Sequence, residues 1–175
     1  MRKSRIAAVL LAGIMAVASL SGCAAFNDVM TVAEDGTITL SIAYNDQPES
    51  VTGLLASDFA ARLEEKSGGK MTVNVYPSGQ LGSDKELIQS CVSGDIEFVV
   101  QNHAAQVNNV PEAAVLDMPF LFQNTQQARD TFDSPEFRDV FEQAYENKGL
   151  KLLLIADNGF REVTSNKKLE KLEDF

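Results

Sequence analysis

From Thr37 to Ala156, segments that alternate apolar and polar residues trade places with segments whose apolar residues recur at the helical period. No other feature constrains the fold as much. Thr37 to Tyr44 carries Ile38, Leu40, Ile42 and Tyr44 at every second position, the pattern of a strand, and Asn45-Asp46-Gln47-Pro48 ends it. From Val51 the apolar residues fall at Leu54, Leu55, Phe59 and Leu63, a helix stopped by Gly68-Gly69. Met71 to Tyr76 alternates again, and Pro77 to Gly82 breaks it. Ser83 with Glu86 then opens a helix with a capping box, its apolar face is Leu87, Ile88, Cys91 and Val92, and Gly94 ends it. Ile96 to Val100 is a short apolar run that reads as a buried parallel strand. Two β-α-β units in succession predict an α/β domain with a mainly parallel sheet covered on both faces.

Further along, Asn102 to Val110 is polar and predicts irregular chain or a short helix, and Pro111 to Phe122 carries an apolar segment broken by Pro119. Ser134-Pro135 reads as N-cap and first residue of a long helix whose buried face is Phe137, Val140, Phe141, Ala144 and Tyr145, with Gly149 as the stop. Leu150 to Ala156 predicts another strand, Arg161 to Thr164 a further one, and Leu169 to Phe175 the start of something else. Ligands of such sheets bind beyond the carboxyl ends of the strands. That rule selects Asn45 to Pro48, Pro77 to Gly82, Gln101 to His103, and Asp157 to Arg161.

The first 22 residues carry Arg2, Lys3 and Arg5, then the uncharged apolar run Ile6 to Leu20, then Ser21-Gly22-Cys23. A basic start, an apolar stretch short of a membrane span and small residues before a cysteine predict an export signal cut before Cys23, which would then carry lipid. Its removal leaves 153 residues with 12 basic against 25 acidic side chains, a net charge of −13. A surface of that sign excludes nucleic acid as a partner, because a phosphate backbone requires a cationic face. Residues 23–36 read as a flexible tether and 37–175 as a single domain. With Cys23 committed to lipid, Cys91 is left as a lone thiol on a buried helix face, so no internal disulfide forms. No Cys/His set has zinc spacing, and no metal or cofactor is expected.

Arg161 is the sharpest candidate for chemistry, since Asn158-Gly159-Phe160-Arg161 ends a predicted buried strand with a turn and then presents a guanidinium beside an aromatic ring. A planar fork of donors suits a carboxylate. From position alone the residue fits equally a pairing with one of the many surface acids. Asn45, Gln101 and Asn102 offer neutral hydrogen bonds at strand ends, though Asn45 also suits a plain turn. Catalysis finds no support: His103 is the only histidine, no Gly-x-Ser-x-Gly elbow accompanies it, and Gly79-Gln80-Leu81-Gly82 lacks a phosphate-loop ending. The chain is not expected to be an enzyme.

Tyr76-Pro77-Ser78-Gly79-Gln80-Leu81-Gly82, Leu116-Asp117-Met118-Pro119-Phe120-Leu121-Phe122, and Asn158-Gly159-Phe160-Arg161 with Thr164-Ser165-Asn166-Lys167 together resemble the DctP-type solute-binding proteins of TRAP transporters. The resemblance covers about residues 38–175. It implies a periplasmic-binding-protein-like lobe, with the second lobe of a clamshell largely missing, in a protein of about twice this mature length. It also implies capture of a small carboxylate outside the cytoplasm and delivery to membrane permease subunits driven by an ion gradient. By the same resemblance Arg161 matches an arginine that contacts the ligand carboxylate, Asn45 an early polar contact, and Phe160 a pocket wall beside Asn158. Asp84 lies near another polar site, and Asn102 stands where some members carry an acid. Two other roles fit a similar lobe: the binding component of an ATP-driven importer, or a ligand-sensing lipoprotein that addresses a membrane receptor.

Overall fold

Among the described residues, strand β2 (Ile38–Ala43) is the one that every other strand pairs with. The computed structural model describes residues 30–160 and 163–174, so the leader, Cys23 and Arg161 lie outside the described residues. On one side β2 pairs in parallel with β3 (Met71–Tyr76), from Ile38 opposite Met71 to Ala43 opposite Tyr76. Its other side is shared. The short β1 (Thr31–Val32) runs antiparallel beside Ile38 and Thr39, and β4 (Phe98–Val99) runs parallel beside Ile42 and Ala43. Between them the Glu97 carboxylate accepts the backbone N–H of Ser41 at 2.6 Å and that of Met30 at 3.0 Å, continuing the ladder with a side chain where no strand reaches. Thr31 and Val32, which fall in the segment predicted as a tether, belong to the sheet.

The sheet is covered on both faces, as the alternation of β2 requires. Ile42 and Tyr44 point to one face, where they pack with Ala56 and Phe59 of α1 (Val51–Ser67), Val73, Val75 and Phe98. Ala43 points to the other, against Leu87 and Cys91 of α2 (Asp84–Ser93), with Tyr76, Ile96 and Val99. Each fully buried aliphatic side chain of this set stabilises the fold by about 1.5–3 kcal/mol. Helix α1 begins where Ser50 Oγ accepts the Gly53 N–H at 3.1 Å and ends in left-handed Gly68. Both boundaries agree with the sequence reading.

A third cluster lies beyond the sheet. Val110, at the end of the segment that holds α3 (His103–Gln106), packs on Phe141, Ala144 and Tyr145 of α5 (Pro135–Glu146). Between these run a 3-10 helix (Pro111–Asp117) and α4 (Thr125–Asp133). Phe122, Phe132, Phe137 and Phe141 follow one another with centroids 5.3, 5.5 and 4.1 Å apart, the first pair edge-to-face, the second tilted and the last stacked.

Several expectations need correction. Leu150 to Ala156 is not a strand: Leu150 and Leu152 pack on the Val110–Tyr145 cluster, Lys151 pairs with Glu142 and Glu146, and no ladder forms. A strand needs a neighbouring edge, and β4 presents only two residues; Leu153 and Leu154 stay half exposed. Val140, expected on the buried face of α5, is exposed because it sits at the margin of the arc formed by Phe137, Phe141, Ala144 and Tyr145. The strand predicted over Arg161 to Thr164 falls partly on residues not described, and Val163 and Thr164 are in irregular chain. Leu172–Asp174 forms a single 3-10 turn. Helix α4 has no counterpart in the sequence reading.

The capping box at α2 is present as predicted. Glu86 accepts the Ser83 hydroxyl and the Ser83 N–H, each at 2.7 Å, and those bonds, the hydroxyl first, hold its carboxyl below the ordinary glutamate value of 4.5. A carboxyl whose folded pKa is depressed contributes stability fully above its unfolded pKa and loses it as the pH falls through the folded one. Glu86→Gln, which cannot titrate, is therefore expected to flatten the fall in stability below a pH of about 4.5, read by urea denaturation at stepped pH.

Candidate ligand-binding site

The three parallel strands deliver their carboxyl ends to one rim of the sheet: Asn45 after β2, Pro77 to Gly82 after β3, and Gln101-Asn102 after β4. The first two loops are stitched together by backbone. Gly79 N–H donates to Tyr44 C=O at 3.1 Å and Ser78 N–H to Asp46 C=O at 3.1 Å. Gln80 N–H returns to Pro77 C=O at 3.1 Å, closing a turn whose central residues Ser78 (φ 55°) and Gly79 (φ 68°) are both left-handed. For Ser78 that conformation costs about 1–2 kcal/mol, and the bonds to the β2 loop offset it. Gly79 has a second reason to lack a side chain, because a Cβ there would overlap Asn45 Oδ1. Asn45 Oδ1 thus lies close against the turn. Asp46 closes the other flank by accepting the Thr52 hydroxyl at 2.6 Å.

At the third strand end, Gln101 Nε2 donates to the Asp84 carbonyl at 2.6 Å, with Asp84 Oδ1 at 3.4 Å. Asp84, the first residue of α2, is therefore brought against the end of β4, beside Asn102. The Asn102 side chain is exposed and does not cap α3. Gln101 Oε1 is buried without a partner among the described residues, an arrangement that costs about 1–3 kcal/mol. His103 Nε2 stands 2.7 Å from Asp117 Oδ1 and ties α3 to the 3-10 helix, the structural role expected of a lone histidine. Among the described residues no group of His, Cys, Asp and Glu is placed to hold a metal.

Asn158 and Phe160 are exposed and make no hydrogen bond to Asn45, Asp84 or Asn102 among the described residues. Their turn is built by Asp157, whose Oδ1 accepts the Gly159 N–H at 2.7 Å while Oδ2 accepts Arg129 Nη2 from α4 at 3.2 Å. A cavity of about 230 Å³ lies there, lined by Arg129, Phe132, Asp133, Ile155 and Asp157. The structure thus groups Asn45 with the Ser78-Gly79 turn, and Asp84 with Gln101-Asn102, and ties the turn that carries Asn158 and Phe160 to α4 through Asp157 and Arg129. Sequence reasoning missed the left-handed Ser78 and the Arg129–Asp157 pair. Pro77-x-Gly79 hinted at the turn; nothing in the sequence pairs residues 28 apart.

Parallel strands that end in polar loops on one rim, with helices on both faces, form an α/β lobe of the kind that binds ligands beyond its strand ends. The chain belongs to the DctP family, the bacterial extracellular solute-binding proteins of family 7, whose model matches residues 42–175. The C4-dicarboxylate-binding protein DctB of Bacillus subtilis is 34% identical over 114 residues, covering 65% of this chain and 32% of its own. A TRAP periplasmic solute-binding protein from Haemophilus influenzae, solved with L-gulonate, superposes with a TM-score of 0.69 at 29% identity, over 78% of this chain and 45% of that one. The sugar acid binding protein DctPAm from Advenella mimigardefordensis, in complex with galactonate, gives a TM-score of 0.61 at 33% identity, over 65% and 36%. The chain spans less than half the length of the curated relatives it matches. The family acts outside the cytoplasm in transport, and among the described residues no helix is long and apolar enough to cross a membrane.

Gly79→Ala is expected to destabilise the protein by about 1–2 kcal/mol through the left-handed backbone alone, and to displace Asn45 as well. Urea denaturation measures the first effect, and a shift of the Asn45 side-chain amide resonances reports the second.

Proposed function

We propose that the full-length protein captures a small organic acid outside the cytoplasm for a TRAP-type transporter driven by an ion gradient. The observation that carries this reading is the shared rim, where Asn45 and Asn102 follow parallel strands and Asp84 opens the helix that Gln101 draws onto the end of β4, in a fold whose relatives were solved with sugar acids. Asn45 and Asn102 are suited to read hydroxyls and the far end of a ligand without adding charge. The carboxylate itself needs a cation, since a strongly acidic protein repels an acid unless a fixed positive group receives it. Arg161 is that group in this reading, with Asn158 and Phe160 shaping the approach. The role is that of a carrier without catalysis or cofactor.

The partners in this reading are the membrane permease subunits of the transporter. Leu20-Ser21-Gly22-Cys23 supports a lipid on Cys23 that anchors the protein at the outer side of a membrane. Cys23→Ser is expected to abolish incorporation of labelled palmitate and to release the protein from the membrane fraction.

Titration calorimetry of the full-length protein with L-gulonate, galactonate and succinate tests the carboxylate grip. Arg161→Ala is expected to weaken the acid that binds by about 2 kcal/mol or more, the scale of removing one partner from a buried charge-assisted pair. Unchanged affinity refutes the assignment of Arg161.

A further inference from the structure

Among the described residues, the segment 152–160 reaches the rest of the protein through one polar contact, the pair of Arg129 Nη2 and Asp157 Oδ2 at 3.2 Å. Asp157 divides its carboxylate between two tasks. Oδ1 accepts the Gly159 N–H at 2.7 Å and so folds the turn, while Oδ2 meets the guanidinium from α4 and so fixes where the turn stands. The two ends of the contact differ: the Asp157 side chain is 17% exposed and the Arg129 side chain 59%. The carboxylate is therefore partly enclosed, between Ile155 and the α4 side chains that line the same cavity, and the arginine reaches it from the solvent side. No ladder bond holds this segment, because Leu150 to Ala156 pairs with no strand.

We infer that Arg129 is a positioning residue: paired with Asp157, it clamps the Asp157–Phe160 turn to α4 and sets the place from which Asn158 and Phe160 face a ligand. This rests on the reading of the protein as an acid binder, in which that turn leads directly into Arg161. Arg129 touches no ligand in this account. Its effect passes through Asp157 to the turn.

Amide hydrogen exchange of the full-length protein without ligand tests the clamp, with thermal unfolding and calorimetry on L-gulonate, galactonate and succinate alongside. Arg129→Gln is expected to speed exchange at residues 158–160 by about two- to fivefold, the range through which a partly exposed ion pair moves an equilibrium, while the melting temperature and the exchange of the sheet stay unchanged. Arg129→Lys is expected to restore most of the protection. Asp157→Asn keeps an acceptor for Gly159 and loses the charge, so it should match Arg129→Gln, and the double variant should be no worse than either single change. Raising the salt should speed exchange at the turn in the parent and leave Arg129→Gln unaltered. For an acid that binds the parent, affinity should fall in Arg129→Gln by about the same factor as the protection.

Unchanged exchange at 158–160 in Arg129→Gln overturns the clamp, as does a fall in melting temperature with faster exchange throughout the chain. Faster exchange at the turn with undiminished affinity for a bound acid overturns its positioning role. If none of the three acids binds the parent, or if Arg161→Ala leaves affinity intact, the reading of the binding site fails, and the ligand-free exchange still decides the clamp.

Discussion

The fold depends on the burial of β2. Leu40 to Tyr44 are all buried, so every backbone group of that stretch must find its partner within the protein. β3 supplies one complete edge, and the other is assembled from two short strands with the Glu97 carboxylate between them. Removing such groups from water without a partner costs more than most single contacts return, so the pairing of β2 constrains where residues thirty to sixty positions away can lie. The helices then follow from the period of two, because Ile42 and Tyr44 call for cover on one face and Ala43 on the other.

The rim inherits its geometry from that strand. Parallel pairing brings the ends of β2, β3 and β4 to the same side of the sheet, so loops distant in sequence become neighbours. The Ser78-Gly79 turn shows how closely they are fitted. Its two left-handed residues persist because bonds from the β2 loop hold them, and its glycine leaves the room that Asn45 occupies. At the other flank Gln101 draws the start of α2 onto the end of β4.

The elements that sequence reading recovered are those with strong local signals. Helix α1, strand β3 and helix α2 begin and end where Ser50, Gly68, Ser83 and Gly94 place them, since capping is decided by a few adjacent residues. Helix α4 was missed because its apolar face amounts to Ala128 and Phe132, although Asn124 caps it by accepting the Gln127 N–H at 2.9 Å. The segment Leu150 to Ala156 failed in the opposite way. Its run of leucines predicts a strand, yet strand formation also needs an edge to pair with, and periodicity does not report whether one is available.

By itself the sequence determined the α/β class, the order of the first elements, the strand-end loops that deserved attention and the family motifs they carry, because alternation, capping and turn chemistry are local. Tertiary structure decided which side chains meet: Glu97 with the edge of β2, Gln101 with Asp84, Arg129 with Asp157. Those pairs join residues 17 to 56 positions apart, and their distances follow from how the strands pair and the helices pack. A one-dimensional pattern carries no record of that packing, since each partner taken alone is an ordinary polar residue.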